Sequence, residues 1–108
     1  MAQTLCESLA LCRAAGISDD VYFGALAKNA SRSGLSDLKE PKLRAHDYSP
    51  QFSVKHMAKD LRLALETAAG LSVPLEQTAN LKKAYDRGMA AGWNDDDFIG
   101  LMRLVEKK

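Results

Sequence analysis

The sequence predicts an all-α protein of about six helices. Capping residues, glycine stops and prolines divide the chain into helix-length pieces, and apolar residues recur with the period of a helix. No segment shows the apolar–polar alternation of a half-buried strand.

Ala2 to Ala15 reads as the first helix, with Leu5, Leu9, Cys12 and Ala2 on one apolar face and Gly16 as a left-handed stop. Ser18 is a good N-cap, and Asp19 and Asp20 follow in the first turn, where the helix dipole favours acids. The second helix runs from there to about Lys28, with Val21, Tyr22, Ala25 and Leu26 as its apolar residues. The least regular stretch is Asn29 to Gln51. It reads as a Ser31–Gly34 connection, a short helix from Leu35 to Lys39, and a second short piece opened by Pro41 and ending near His46. Asp47-Tyr48-Ser49-Pro50 is a turn, because the proline disfavours the helical conformation at Ser49.

Ser53 to Ala69 is the clearest element. On a helical wheel Val54, Met57, Leu61, Ala64, Leu65 and Ala68 gather into one core face, and Gly70 is placed to cap the helix. Pro74 suits the first turn of a fifth helix, which runs to about Ala91 and is stopped by Gly92. A sixth is expected with Asn94 as its cap, Asp95 to Asp97 in its first turn, and Lys107 and Lys108 at its end.

Composition narrows the function. With 46% hydrophobic and 27% charged residues in 108, the chain has the make-up of one soluble domain, 1–108. The 15 basic and 14 acidic residues leave a formal charge of +1, which gives no drive for binding nucleic acid or an anionic membrane. Cys6 and Cys12 lie six apart in one predicted helix and point in different directions, so they read as buried or half-buried thiols of a reduced compartment. No apolar run approaches the roughly 20 residues of a membrane span, and the start lacks the pattern of a secretory signal, so the expected location is cytoplasmic. His46 and His56 have no metal-ligand spacing, and no metal is expected. Three consecutive acids on a helix cannot converge on one ion, which leaves Asp95 to Asp97 as a helix start. No G-x-G-x-x-G, P-loop, nucleophile elbow or zinc-protease motif occurs.

Three segments together resemble one family. Glu7 to Ile17 is similar to an "E-A-L-x-L-x-x-x-A-G-L" stretch, and Asp47 to Phe52 followed by Lys59 to Glu66 is similar to "D-F-x-P-x-F … K-D-L-x-L-A-L". Val73-Pro74-Leu75, Thr78, Tyr85 and the run Ala91 to Asp97 resemble "V-P-L-P-x-T … Y … G-x-G-D-x-D". The family is the β-hydroxyacid dehydrogenases of the 3-hydroxyisobutyrate dehydrogenase and 2-hydroxy-3-oxopropionate reductase type. The resemblance is to their C-terminal helical domain, which has the 6-phosphogluconate dehydrogenase C-terminal-domain fold. It implies an N-terminal Rossmann domain that holds NAD or NADP and a catalytic lysine in a segment preceding the equivalent of Glu7. It also implies a small hydroxyacid or semialdehyde substrate and a homodimer. No catalytic residue is expected within this chain, which alone should be inactive.

Three positions match the family pattern. Lys59 matches a lysine that reaches the cofactor, Asp60 an acid near the active site, and Phe52 an aromatic that closes over substrate and nicotinamide. Each has a plainer reading. Lys59 lies almost opposite the predicted core face among Lys55, Arg62 and Glu66, as on a solvated face, where Arg62 and Glu66 would form an i,i+4 pair worth about 0.3 kcal/mol. Leu63 on that same outward face argues for something that covers it. Phe52 could equally staple the first turn of its helix, and Asp60, at the flank of the core face, could make a local ion pair or a bond to the preceding loop. The alternative to the dehydrogenase is a stand-alone helical module for dimerisation or interaction.

Overall fold

The structure is a computed structural model and describes residues 1–106. Five α-helices, α1 (Ala2–Ala14), α2 (Asp19–Leu26), α3 (Gly34–Ala45), α4 (Val54–Gly70) and α5 (Glu76–Ala90), are followed by a 3-10 helix over Phe98–Leu104. Among the described residues no strand forms, and one isolated antiparallel bridge joins Ser53 to Asp97. Among the described residues no helix is long and apolar enough to cross a membrane. The chain divides into two compact units, Met1–Asp47 with the segment that starts at Met102, and Tyr48–Leu101.

In the first unit, Cys6, Leu9, Ala10, Phe23, Leu43 and Met102 are buried. Gly16, at φ 79°, makes the left-handed turn after α1. The Ser18 hydroxyl accepts the Val21 N–H and caps α2 as the sequence predicts. Its anchor, however, is Phe23. Val21, expected on the apolar face, is 62% exposed, since a helix of eight residues presents little more than one side chain squarely to its core. Arg13 joins three elements: its guanidinium donates to both carboxylate oxygens of Asp19, at 2.8 and 2.7 Å, and to the Leu43 carbonyl at 3.0 Å. Cys6 and Cys12 form no disulfide and are buried and half-buried respectively, and burial pushes the Cys6 thiol up to about 12, which makes it inert at neutral pH.

The two short pieces expected around Pro41 are one continuous helix, α3, with the proline inside it. Ser33 and Ser36 cap each other's backbone at its start, at 3.1 and 2.9 Å. Ser36, Lys39, Lys42 and Leu43 form the buried face, whereas Pro41 is exposed, so its ring interrupts only the solvent side. Burial of that stripe overrides the local rule that proline ends a helix. His46, at φ 52°, then turns the chain left-handed, and the amides of His46 and Asp47 both return to the Lys42 carbonyl.

In the second unit, α4 packs along α5. Val54, Ala58 and Ala68 are buried and Met57, Leu61 and Leu65 half-buried, which is the expected face shifted slightly: Ala58 takes the place of Ala64, which is exposed. The left-handed residue after α4 is Ser72, at φ 57°, rather than Gly70, which is the last helical residue. Pro74 lies just outside α5, whose N-cap is Leu75. Gly92 does make the expected stop, at φ 86°. Gly88 is buried where the helix approaches its neighbours closely: a Cβ there would stand 2.5 Å from Leu101 Cδ2 and 3.4 Å from Val54 Cγ1.

The sixth element differs most from expectation. Residues 94–97 are a turn, and the helix begins at Phe98 in the tighter 3-10 form. Phe98, Ile99, Leu101 and Met102 are buried at a spacing wider than one α-helical face covers. Lys107 and Lys108, expected at its end, lie outside the described residues.

Candidate functional site

The site is built around the start of α4. The first amides of a helix lack partners within it. Here the Val54 and Lys55 N–H groups donate to the carbonyls of Asp96 and Asn94, at 2.8 and 3.0 Å, and the Ser53 hydroxyl accepts the His56 N–H at 3.3 Å. The segment before the helix is clamped to the same turn. The Asp97 N–H donates to the Tyr48 carbonyl and the Phe98 N–H to the Phe52 carbonyl, both at 2.8 Å.

Asp97 is the centre of this clamp. Its carboxylate is fully buried; Oδ1 accepts the N–H groups of Gln51 and Phe52, at 2.9 and 3.2 Å, and Oδ2 accepts that of Ile99 at 3.0 Å. One side chain thus caps the 3-10 helix and fixes the turn that carries Phe52. The three consecutive acids diverge. Asp95 projects outward to Lys55 at 2.6 Å, and that hydrogen bond and charge hold its carboxyl below the usual carboxylate range. An acid ahead of the apolar run Phe98–Met102 is the signal that could have identified Asp97 as a cap, but three aspartates in a row conceal which one serves.

Phe52 is 37% exposed. Its ring meets Phe98 edge-on, with centroids 6.3 Å apart at 73°, and His56 at 5.7 Å and 45°. The His56 ring is in turn bonded through Nδ1 to Ser53 Oγ at 2.9 Å. Lys59 and Asp60 are both exposed, and neither side chain has a hydrogen bond or ion pair among the described residues. The local ion pair offered for Asp60 does not form. The neighbouring cations are engaged: Lys55 by Asp95, and Arg62 by Glu66 at 2.9 Å. With the buried residues of α4 on one side, His56, Lys59 and Leu63 share the opposite one, where Leu63 is 43% exposed, and the Phe52 ring, from just before the helix, meets His56 there. Aromatic rings, an aliphatic side chain and an unengaged ammonium therefore line one outward face. Such a surface suits a flat, polar-edged ligand that brings its own hydroxyl or amide oxygens.

The family described as NAD-binding of NADP-dependent 3-hydroxyisobutyrate dehydrogenase matches residues 1–105. The chain belongs to this 3-hydroxyisobutyrate dehydrogenase family. It is similar to glyoxylate/succinic semialdehyde reductase 1 of Arabidopsis thaliana, 28% identical over 98% of this chain and 37% of the reductase. It is also similar to the cytokine-like nuclear factor N-PAC of Aedes aegypti, 33% identical over 86% of this chain and 17% of that protein. In three dimensions it resembles a 3-hydroxyisobutyrate dehydrogenase from Salmonella typhimurium, with a TM-score of 0.88 and 25% identity over 95% of this chain and 36% of the other. This 3-hydroxyisobutyrate dehydrogenase-family chain spans about a third of the length of the reductase and of the solved dehydrogenase. The all-helical fold expected from its sequence is the fold of the matching part of that solved enzyme.

Proposed function

We propose that residues 1–108 are the C-terminal helical domain of an NAD(P)-dependent β-hydroxyacid dehydrogenase, and that the outward face of α4 covers the cofactor and substrate held by a Rossmann half. The observation that carries this reading is the exposed, unengaged ammonium of Lys59 inside the Lys59-Asp60-Leu61 segment, on the same face as Phe52. The residues fit a dinucleotide: an ammonium on a flexible stem can donate to ribose hydroxyls or a carboxamide oxygen. When bound, NAD or NADP supplies the hydride donor or acceptor for a short hydroxyacid or its semialdehyde.

The chain's own groups bind and shield. Lys59 donates hydrogen bonds to the cofactor, Phe52 excludes water from the reacting carbon, and Asp60 stands at the polar edge of the cleft. Proton transfer to the substrate oxygen belongs to a lysine outside these 108 residues, so the chain alone transfers no hydride. The same reading makes the enzyme a cytoplasmic homodimer.

The test is to join the chain behind the Rossmann half and catalytic-lysine segment of a relative, and to assay NAD(P)-linked oxidation of 3-hydroxyisobutyrate, glycerate and 4-hydroxybutyrate. Activity that falls sharply in Lys59→Ala supports the reading. Activity indifferent to that substitution returns Lys59 to the solvated face. A folded, soluble hybrid with no activity, in which the chain still forms dimers, favours a second reading: a stand-alone helical interaction module. The likeness to N-PAC, which is named a nuclear factor and not a dehydrogenase, is the observation that keeps that alternative in view.

A further inference from the structure

His56 is an exposed polar side chain of this face to which the family resemblance gives no part. Its position is nonetheless central. On the helix surface, neighbours are three and four residues apart. His56 is three before Lys59 and four before Asp60 on α4, and its ring meets that of Phe52, which precedes the helix, at 5.7 Å. Its ring is not loose. The hydroxyl of Ser53, a residue 6% exposed, bonds to Nδ1 at 2.9 Å while accepting the His56 backbone N–H at 3.3 Å. A hydroxyl can make both contacts at once, because it has one proton to give and two lone pairs.

We propose that His56 is the positioning residue for Phe52: Ser53 fixes the imidazole, and the imidazole fixes the phenyl ring over the outward face of α4. The backbone of Phe52 is already held by Asp97 and Phe98, but backbone bonds leave χ1 and χ2 free. Phe98 meets the ring from one direction, edge-on at 73°, and His56 from another, tilted at 45°. Without His56, a side chain that is 37% exposed has one aromatic contact left and can swing into solvent. Asp95, itself bonded to Lys55, is the carboxylate that feels the charge of His56; Lys59 and Asp60 follow one turn on along α4, and the ring contact requires no particular charge on the imidazole.

The inference deepens the proposed function, since the value of a fixed Phe52 rests on its role above the substrate, but the contact itself can be tested apart from catalysis. In the 108-residue chain with labelled phenylalanine, side-chain couplings and relaxation report whether Phe52 keeps one χ1 rotamer. The parent chain should show one rotamer. His56→Ala should show averaging while far-UV circular dichroism retains the helix, because alanine is the better helix former. His56→Phe, which restores a flat ring without the Ser53 bond, should recover much of the order. Averaging in the parent, or a single rotamer in His56→Ala, overturns the proposal. In the joined enzyme, His56→Ala should raise KM for the hydroxyacid and be partly rescued by His56→Phe. If Phe52→Ala leaves KM and kcat unchanged there, the role of Phe52 fails while the rotamer result still decides that of His56.

Discussion

Asp97 holds Phe52 by the backbone: its buried carboxylate accepts the Phe52 N–H at 3.2 Å, and the next residue, Phe98, returns an N–H to the Phe52 carbonyl at 2.8 Å. The same carboxylate serves Gln51 and Ile99. Asp97→Ala therefore strands three amide donors at once and removes the cap of the 3-10 helix. A buried unsatisfied donor costs about 1–3 kcal/mol; the Ile99 N–H is buried, whereas those of Gln51 and Phe52 are part-buried and regain some bonding to water, so the expected loss of stability is about 2–3 kcal/mol. Urea unfolding measures it. Asp97→Asn keeps one carbonyl oxygen and should lose roughly half as much. Equal losses for the two variants would mean that the negative charge, rather than the count of accepted bonds, holds the turn.

That clamp also explains which parts of the molecule were legible in the sequence. The cap at Ser18, the stops at Gly16 and Gly92 and most of the inward face of α4 depend on residues within a turn or two of each other, and they are where the sequence places them, with Ala58 in place of Ala64. The outward position of Lys59 followed from the same wheel. Asp97 acts on partners 45 and 46 positions away, a distance no local pattern spans. The 3-10 helix escaped because its period is not the one sought. The helix runs through Pro41 because the rule for proline is local, whereas α3 is held by the burial of Lys39 and Leu43 on its other side.

Pro41 yields its own prediction. In the interior of α3 it offers no N–H to the Asp37 carbonyl, and its exposed ring gains nothing from the core. Pro41→Ala should restore that bond. An interior proline costs about 3 kcal/mol relative to alanine, and the freer unfolded chain returns about 1 kcal/mol of this. The variant should therefore be more stable than the parent by about 2 kcal/mol, seen as a higher urea midpoint at unchanged slope.

Gly88 should tolerate no side chain. Alanine would gain about 1 kcal/mol of helix propensity, but its methyl would press on Leu101, which is fully buried and has little room to give. Overpacking costs about 1–3 kcal/mol. A net loss of about 1 kcal/mol is expected for Gly88→Ala, with a larger one for Gly88→Val. The double variant Gly88→Ala with Leu101→Ala should be more stable than the sum of its single losses predicts.

The pair Arg13 and Asp19 sets a pH dependence. The Arg13 guanidinium, through its hydrogen bond first and its charge after, holds the Asp19 carboxyl below its usual value against a smaller opposing effect of burial. A carboxyl depressed in the folded state binds its proton more readily once the chain unfolds. Its contribution is thus present above the unfolded carboxylate value and disappears as pH falls through the folded one. Both side chains are about a quarter exposed, and a bidentate pair of this kind is worth about 1 kcal/mol. Asp19→Asn should therefore unfold at lower urea than the parent at pH 7, and the gap should close as the pH is taken from 5 towards 2. A gap that stayed constant over that range would assign the loss to the Asp19 contact at the start of α2 and not to its ionised pairing with Arg13.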